Sequence, residues 1–139
     1  LLEIGENGRV VETWTSTGAD SVLRNEWQTS LLVDGRLYGF DNVGSAGPVT
    51  HLTCIDPLTA ERLWQQKRFG KGNAIAADRK LWCTTMEGEL VLLSADPARF
   101  AELGRSKLLD TTRQAPSLAD GKLYLRDDRE IVCVDVRKP

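Results

Sequence analysis

The side chains able to do chemistry are few and scattered along this chain. There is one histidine, His51, placed at the entrance to a strand. A lone imidazole cannot build the common zinc sites, and a structural place is the plainer reading. The three cysteines, Cys54, Cys83 and Cys133, form neither a disulfide framework nor a zinc spacing. Free cysteine packs as a small hydrophobe, so all three are expected as buried fillers. Ser16, Ser30, Ser45 and Ser117 have no neighbouring His/Asp arrangement, and no Gly-x-Ser-x-Gly occurs. No catalytic residue and no metal ligand set is therefore assigned. Asp127, Asp128 and Glu130 make an acidic cluster that reads as a solvated hairpin turn.

The most suggestive polar stretch is Phe69-Gly70-Lys71-Gly72-Asn73, which connects two strand modules. Two glycines free backbone N–H groups, and Lys71 supplies a point charge that could meet an anion. It is not a P-loop, since no Gly-Lys-Ser/Thr follows and no helix opens. Arg24, Asn25 and Arg113 fall in the equivalent connections. Arg24, Asn25, Lys71 and Arg113 together form the candidate ligand or partner face; plain turns are the competing reading.

What must position these residues is a set of short strands. The composition is 41% hydrophobic and 27% charged over 139 residues, enough for one domain with a sizeable core. A net charge of −2 argues against a nucleic-acid surface. No apolar run approaches the roughly 18 residues needed to span a bilayer. The N-terminal Leu1-Leu2-Glu3-Ile4-Gly5 has neither a basic nor an apolar leader region, so no signal peptide is expected in this chain. It also has no initiator Met, which suggests numbering that begins inside a longer chain.

Three hairpins repeat. Leu31 to Tyr38 aligns with Ile75 to Trp82 and with Ser117 to Tyr124, and the turn residues Asp34, Asp78 and Asp120 lie 44 and then 42 residues apart. Asp34-Gly35 and Asp120-Gly121 are strong hairpin turns. Each hairpin leads into a third strand, Leu52–Asp56, Leu90–Ser94 or Ile131–Asp135. Asn42 to Pro48 reads as a loop, Asp96 to Phe100 as a helical turn capped by Asp96, and Leu103 to Leu109 as a strand. Tyr38, Trp82 and Tyr124 occupy one position in each repeat and are expected to form a packing layer.

A period near 43 residues with four short strands points to β-propeller blades, ahead of a β-sandwich. The fold class is all-β, a partial propeller of about three four-stranded blades plus one N-terminal strand. One domain spans 1–139, with blades at about 27–67, 72–109 and 114–136. The strand at 9–16 is assigned to a preceding blade, with closure of the third blade as the alternative. Closed propellers have about 4–8 blades, so exposed faces and self-association are expected.

The stretch Leu52 to Trp64 carries a family resemblance. Cys54, Asp56, Thr59, Ala60 and Trp64 stand in the positions of the tryptophan-docking motif Ala-x-Asp-x-x-Thr-Gly-x-x-x-Trp. Asp, Thr and Trp match; Cys replaces Ala, and Ala replaces Gly. The chain resembles the PQQ-like, quinoprotein-type β-propeller repeats, and is similar to the C-terminal portion of bacterial PQQ-binding-like repeat proteins. The resemblance makes Asp56, Thr59 and Trp64 architectural residues, and Trp14 could dock as Trp64 does. It implies a non-catalytic binding or scaffold module of the periplasm or cell envelope, with the remaining blades or a protein as partner. The alternative it implies is the C-terminal part of a PQQ-dependent quinoprotein dehydrogenase. Those enzymes hold their quinone with adjacent cysteines, a Trp and calcium. No adjacent cysteines occur here, so PQQ with calcium is expected only if further blades supply the site.

Overall fold

A computed structural model describes residues 1–43 and 49–137. The loop expected at Asn42 to Pro48 falls largely on 44–48, as does Ser45, and these lie outside the described residues. The architecture is all-β. Strands β1 (Leu2–Ile4) and β2 (Val10–Glu12) form a hairpin of their own. Strands β3 (Leu31–Val33), β4 (Arg36–Val43), β5 (Val49–Ile55) and β6 (Arg62–Gln66) form one four-stranded antiparallel meander. A second comprises β7 (Gly72–Ala77), β8 (Lys80–Thr85), β9 (Glu89–Ser94) and β10 (Glu102–Lys107). Strands β11 (Ser117–Ala119), β12 (Lys122–Arg126) and β13 (Ile131–Asp135) form a three-stranded sheet. We refer to the last three sheets as blades 1, 2 and 3.

Turn chemistry sets the hairpins. Asp34 and Gly35 sit at φ 46° and 74°, and Asp120 and Gly121 at φ 49° and 71°. Both central residues are left-handed, the turn whose twist matches the flanking strands. Blade 2 keeps this backbone with Arg79 at φ 53° in the glycine place. Its Nε lies 3.3 Å from the Asp34 carboxylate of blade 1. The motif's substituted glycine behaves likewise, since Ala60 sits at φ 62°.

Three local expectations change. The segment 96–100 is a bend and not a helical turn, although Asp96 Oδ1 makes the bond expected of a cap, accepting from Ala98 N at 2.8 Å. The N-terminal strand is half of a hairpin, with Val11 opposite Glu3. The blade expected from about 27 begins its inner strand only at Leu31, because the chain from Trp27 to Ser30 runs outside the sheet.

Packing follows from the strand period. Across each sheet, Tyr38 pairs with Cys54 and Cys54 with Trp64; Trp82 pairs with Leu92 and Leu92 with Gly104; Tyr124 pairs with Cys133. Directly opposed residues share a face, so these sets mark the same face in each blade. In blade 1 that face is buried against blade 2, with Tyr38 and Cys54 joining Leu81, Cys83, Val91 and Leu93 in one core. In blade 2 it meets blade 3, where Trp82 and Ile75 pack with Leu123, Leu125 and Val134.

In blade 3 this same face is open. Tyr38 is 2% exposed, whereas its counterpart Tyr124 is 39% exposed. Cys133 is likewise exposed, against the expectation that all three cysteines are buried fillers; Cys54 and Cys83 are buried. The cause is tertiary: among the described residues no further sheet packs on this face as blade 2 packs on blade 1, and no fourth strand pairs with β13. Burial pushes the Cys54 thiol up to about 11 and the Cys83 thiol up to about 12. A maleimide at neutral pH should therefore label one thiol per native chain, at Cys133, with Cys54 and Cys83 reacting only after denaturation. Mass spectrometry of the labelled peptides checks this, and rapid native labelling of Cys54 or Cys83 would contradict the packing.

Candidate functional site

The connections between blades gather at one end of the sheets. The chain leaves β6 at Gln66, passes Arg68, Phe69 and Lys71, and enters blade 2 at Gly72. Gly72 is required by close approach, since a Cβ there would lie 2.1 Å from the Thr84 carbonyl oxygen. Backbone bonds fasten the crossing: Gly70 N donates to Thr50 O and Met86 N to Lys71 O. His51 belongs to the same fastening, as Nδ1 accepts from Arg68 N at 3.0 Å.

Beside this crossing lies an open cavity of about 700 Å³, lined in part by Arg68, Phe69, Lys71, Glu89, Glu102 and Arg105. Four of its charged side chains are already paired. Arg105 donates to both oxygens of Glu102 at 3.1 and 3.0 Å and to Glu89 at 2.6 Å. Its guanidinium carbon lies 5.7 Å from the Phe69 ring centroid. The Arg105 hydrogen bonds hold the Glu102 carboxyl below its usual range, and Glu102 in turn raises Arg105. Lys71 is 17% exposed; its ammonium pairs with Glu26 and sits 4.9 Å from the Trp27 ring centroid. The cation is thus held in a cage of one carboxylate and one indole.

The sequence-derived face divides between several places. Arg24 is bound to the structure: its backbone N and Nε both donate to Asp41 Oδ1, at 3.0 and 3.1 Å. Asn25 Nδ2 donates to Ser30 Oγ at 2.7 Å. Arg113 gives its carbonyl to Asn73 Nδ2 at 2.9 Å while its side chain is exposed. Lys71 and Glu26 meet across two connections; Arg24 and Arg113 join neither.

The fold also uses residues that the pattern of motifs passed over. Asp41 and Asp127 hold the same register position, three residues after the hairpin tyrosine. The Asp41 side chain is fully buried, and it accepts from Arg24 N seventeen residues earlier. Asp127 is 4% exposed and accepts from Asp110 N, also seventeen residues earlier, at 3.1 Å. Each carboxylate pins the connection that enters its blade. Asp127 further accepts from Arg129 N at 2.8 Å and Glu130 N at 2.9 Å. Those N–H groups, Arg129 first, hold its carboxyl below the usual range. The expected solvated acidic turn is therefore organised around a buried aspartate. Extending the hairpin alignment by three residues, Leu-Tyr-x-x-Asp in both copies, is the signal that marks the pair.

The docking motif is built from local bonds and one long reach. Asp56 Oδ1 accepts from Leu58 N at 2.8 Å, and Thr59 Oγ1 from Glu61 N at 3.3 Å. Trp64 then crosses to blade 2, where Nε1 donates to Asp96 O at 2.8 Å and the ring meets Phe100; on its own blade it meets Tyr38, with 5.9 Å between centroids in each pair. Trp14 repeats the device one interface earlier, with Nε1 donating to Pro57 O at 2.8 Å. Each indole fastens one module to the turn after the third strand of the next.

The fold of these meander sheets is shared with a solved enzyme structure. The chain is similar to a europium-containing methanol dehydrogenase, with a TM-score of 0.53 and 19% sequence identity, over 69% of this chain and 19% of that one. At this identity the likeness shows the fold. The chain has an all-β fold consistent with a partial β-propeller. It spans about a fifth of that structure's length. No family model matches the sequence, and no curated protein matches it. The fold raises the question of a quinone and a metal. Among the described residues no three His, Cys, Asp or Glu side chains gather as a metal-binding group, and Glu89 and Glu102 are committed to Arg105. The residues present do not fit such a group. No helix among the described residues is long and apolar enough to cross a membrane.

Proposed function

We propose that this chain is a non-catalytic, quinoprotein-like propeller segment that works as a binding or scaffold module. The observation that supports this reading is the open face of blade 3. Tyr124 and Cys133 stand where Tyr38 and Cys54 are buried by a neighbouring blade, and Ile131 beside them is 71% exposed. A face built to be covered, next to a β13 edge paired only on its β12 side among the described residues, suits a protein partner. The remaining blades of a propeller, or another protein presenting a strand, both have that chemistry. The cell-envelope setting implied by the family resemblance belongs to this proposal.

Static light scattering over a concentration series tests the reading. The isolated chain should show a mass above its 15.4 kDa and rising with concentration. Tyr124→Asp should return it toward monomer without loss of the blade 1 and blade 2 core. A sharp monomer at high concentration would contradict the proposal. The second reading, part of a quinoprotein dehydrogenase, is favoured by the methanol dehydrogenase likeness. Retention of a quinone chromophore after addition of PQQ and calcium would favour it over the scaffold.

A further inference from the structure

The two blade interfaces differ at one position. In blade 1, Ile55 pairs with Arg62 and Cys54 with Trp64, so the outer strand bulges at Leu63. In blade 2, Leu93 pairs with Glu102 and Leu92 with Gly104, with the same bulge at Leu103. Gly104 therefore occupies the register place of Trp64, and the second interface has no docking indole. Between blades 2 and 3 lies a cavity of about 400 Å³ whose wall includes Leu92, the cross-strand partner of Gly104. Its walls include Trp82 and Leu92 from blade 2 and Leu118 and Val136 from blade 3, with Lys80 and Arg137 also lining it. Trp82 is the counterpart of Tyr38, which touches the Trp64 ring at the first interface. Val136 and Arg137 are the counterparts of Pro57 and of Asp96, whose carbonyls receive the Trp14 and Trp64 N–H groups.

We propose that this cavity binds a small planar aromatic molecule of the indole class in the place of the absent tryptophan. The ring lies between Trp82 and Leu118, and its N–H is directed at a main-chain carbonyl of the Val136–Arg137 turn. The volume falls in the usual range for small-molecule sites, and apolar walls with a few polar groups at hand suit a flat heterocycle. The adjacent interface supplies the precedent within the same molecule. Blade 2 has the same bulge and an aromatic wall in Trp82, with glycine where blade 1 carries the indole.

The probe is indole itself, titrated into the full chain and followed by saturation-transfer NMR. Saturable binding is expected. Gly104→Trp should weaken it by at least about tenfold, a loss of roughly 1.4 kcal/mol, because the tethered indole takes the space. The variant has room for it, since a Cβ on Gly104 meets nothing within 4 Å and its φ is not left-handed. Leu118→Trp, at a partly exposed position on the opposite wall, serves as a second block if Gly104→Trp does not fold. N-methylindole should bind more weakly than indole. No saturable binding to the unaltered chain, or equal affinity in the folded blocking variants, would overturn the site; equal binding of N-methylindole would overturn the N–H-directed pose.

Discussion

Trp64→Ala should lower the stability of the chain by about 3–5 kcal/mol, the usual cost of removing a large aromatic side chain from a packed site. The ring touches Tyr38 on its own blade and Phe100 on the next, and Nε1 holds the Asp96 carbonyl. Truncation removes contacts within blade 1 and across the interface together. For a chain of this size the melting temperature should fall on the order of 10–15 °C. Trp64→Phe separates the terms: it keeps much of the ring packing and loses the indole N–H bond, so only about 1–2 kcal/mol should go. Differential scanning calorimetry of both variants checks the order. Equal losses would mean that the hydrogen bond, rather than the packing, dominates the interface.

Asp41→Ala should cost about 2–4 kcal/mol. Its side chain is fully buried and receives Arg24 N, Arg24 Nε and Gln65 Nε2, with Arg62 at 3.7 Å. Removing one partner of a buried ion pair leaves the others without a counter-charge, a loss of about 3–5 kcal/mol when both are enclosed. Arg24 and Arg62 retain 33% and 40% side-chain exposure, so water recovers part of that. Asp41→Asn keeps an acceptor but loses the charge and should fall between. Urea denaturation with an unchanged slope and a lower midpoint is the expected result. A variant as stable as the parent would show that the connection into blade 1 is held by its backbone bonds to Asn42 instead.

The blades were legible because the information is local and repeated. A strand shows as alternation, an Asp-Gly pair shows as a tight turn, and three copies at a near-constant spacing show as blades. The docking motif is equally local in its turn, where Asp56 and Thr59 bond within two residues. The candidate site was harder to read. Lys71 is recognisable as a charge in a glycine-rich crossing, but Glu26, which neutralises it, lies 45 residues earlier. Arg105 appears in sequence as a strand residue, and only folding sets it between Glu89 and Glu102 above Phe69.

The sequence by itself determined the strand modules, their hairpins, the docking turn and the all-β propeller-type fold. These depend on backbone preferences and on a side-chain period that any stretch of chain carries with it. Tertiary structure alone decided which equivalent residues are covered. Cys54 and Cys133 share a register position and near-identical neighbours, yet one is buried between blades 1 and 2 and the other is exposed on an uncovered face. Burial is a property of what packs against a strand. The same reason places a fastened indole at one blade interface and a cavity at the next.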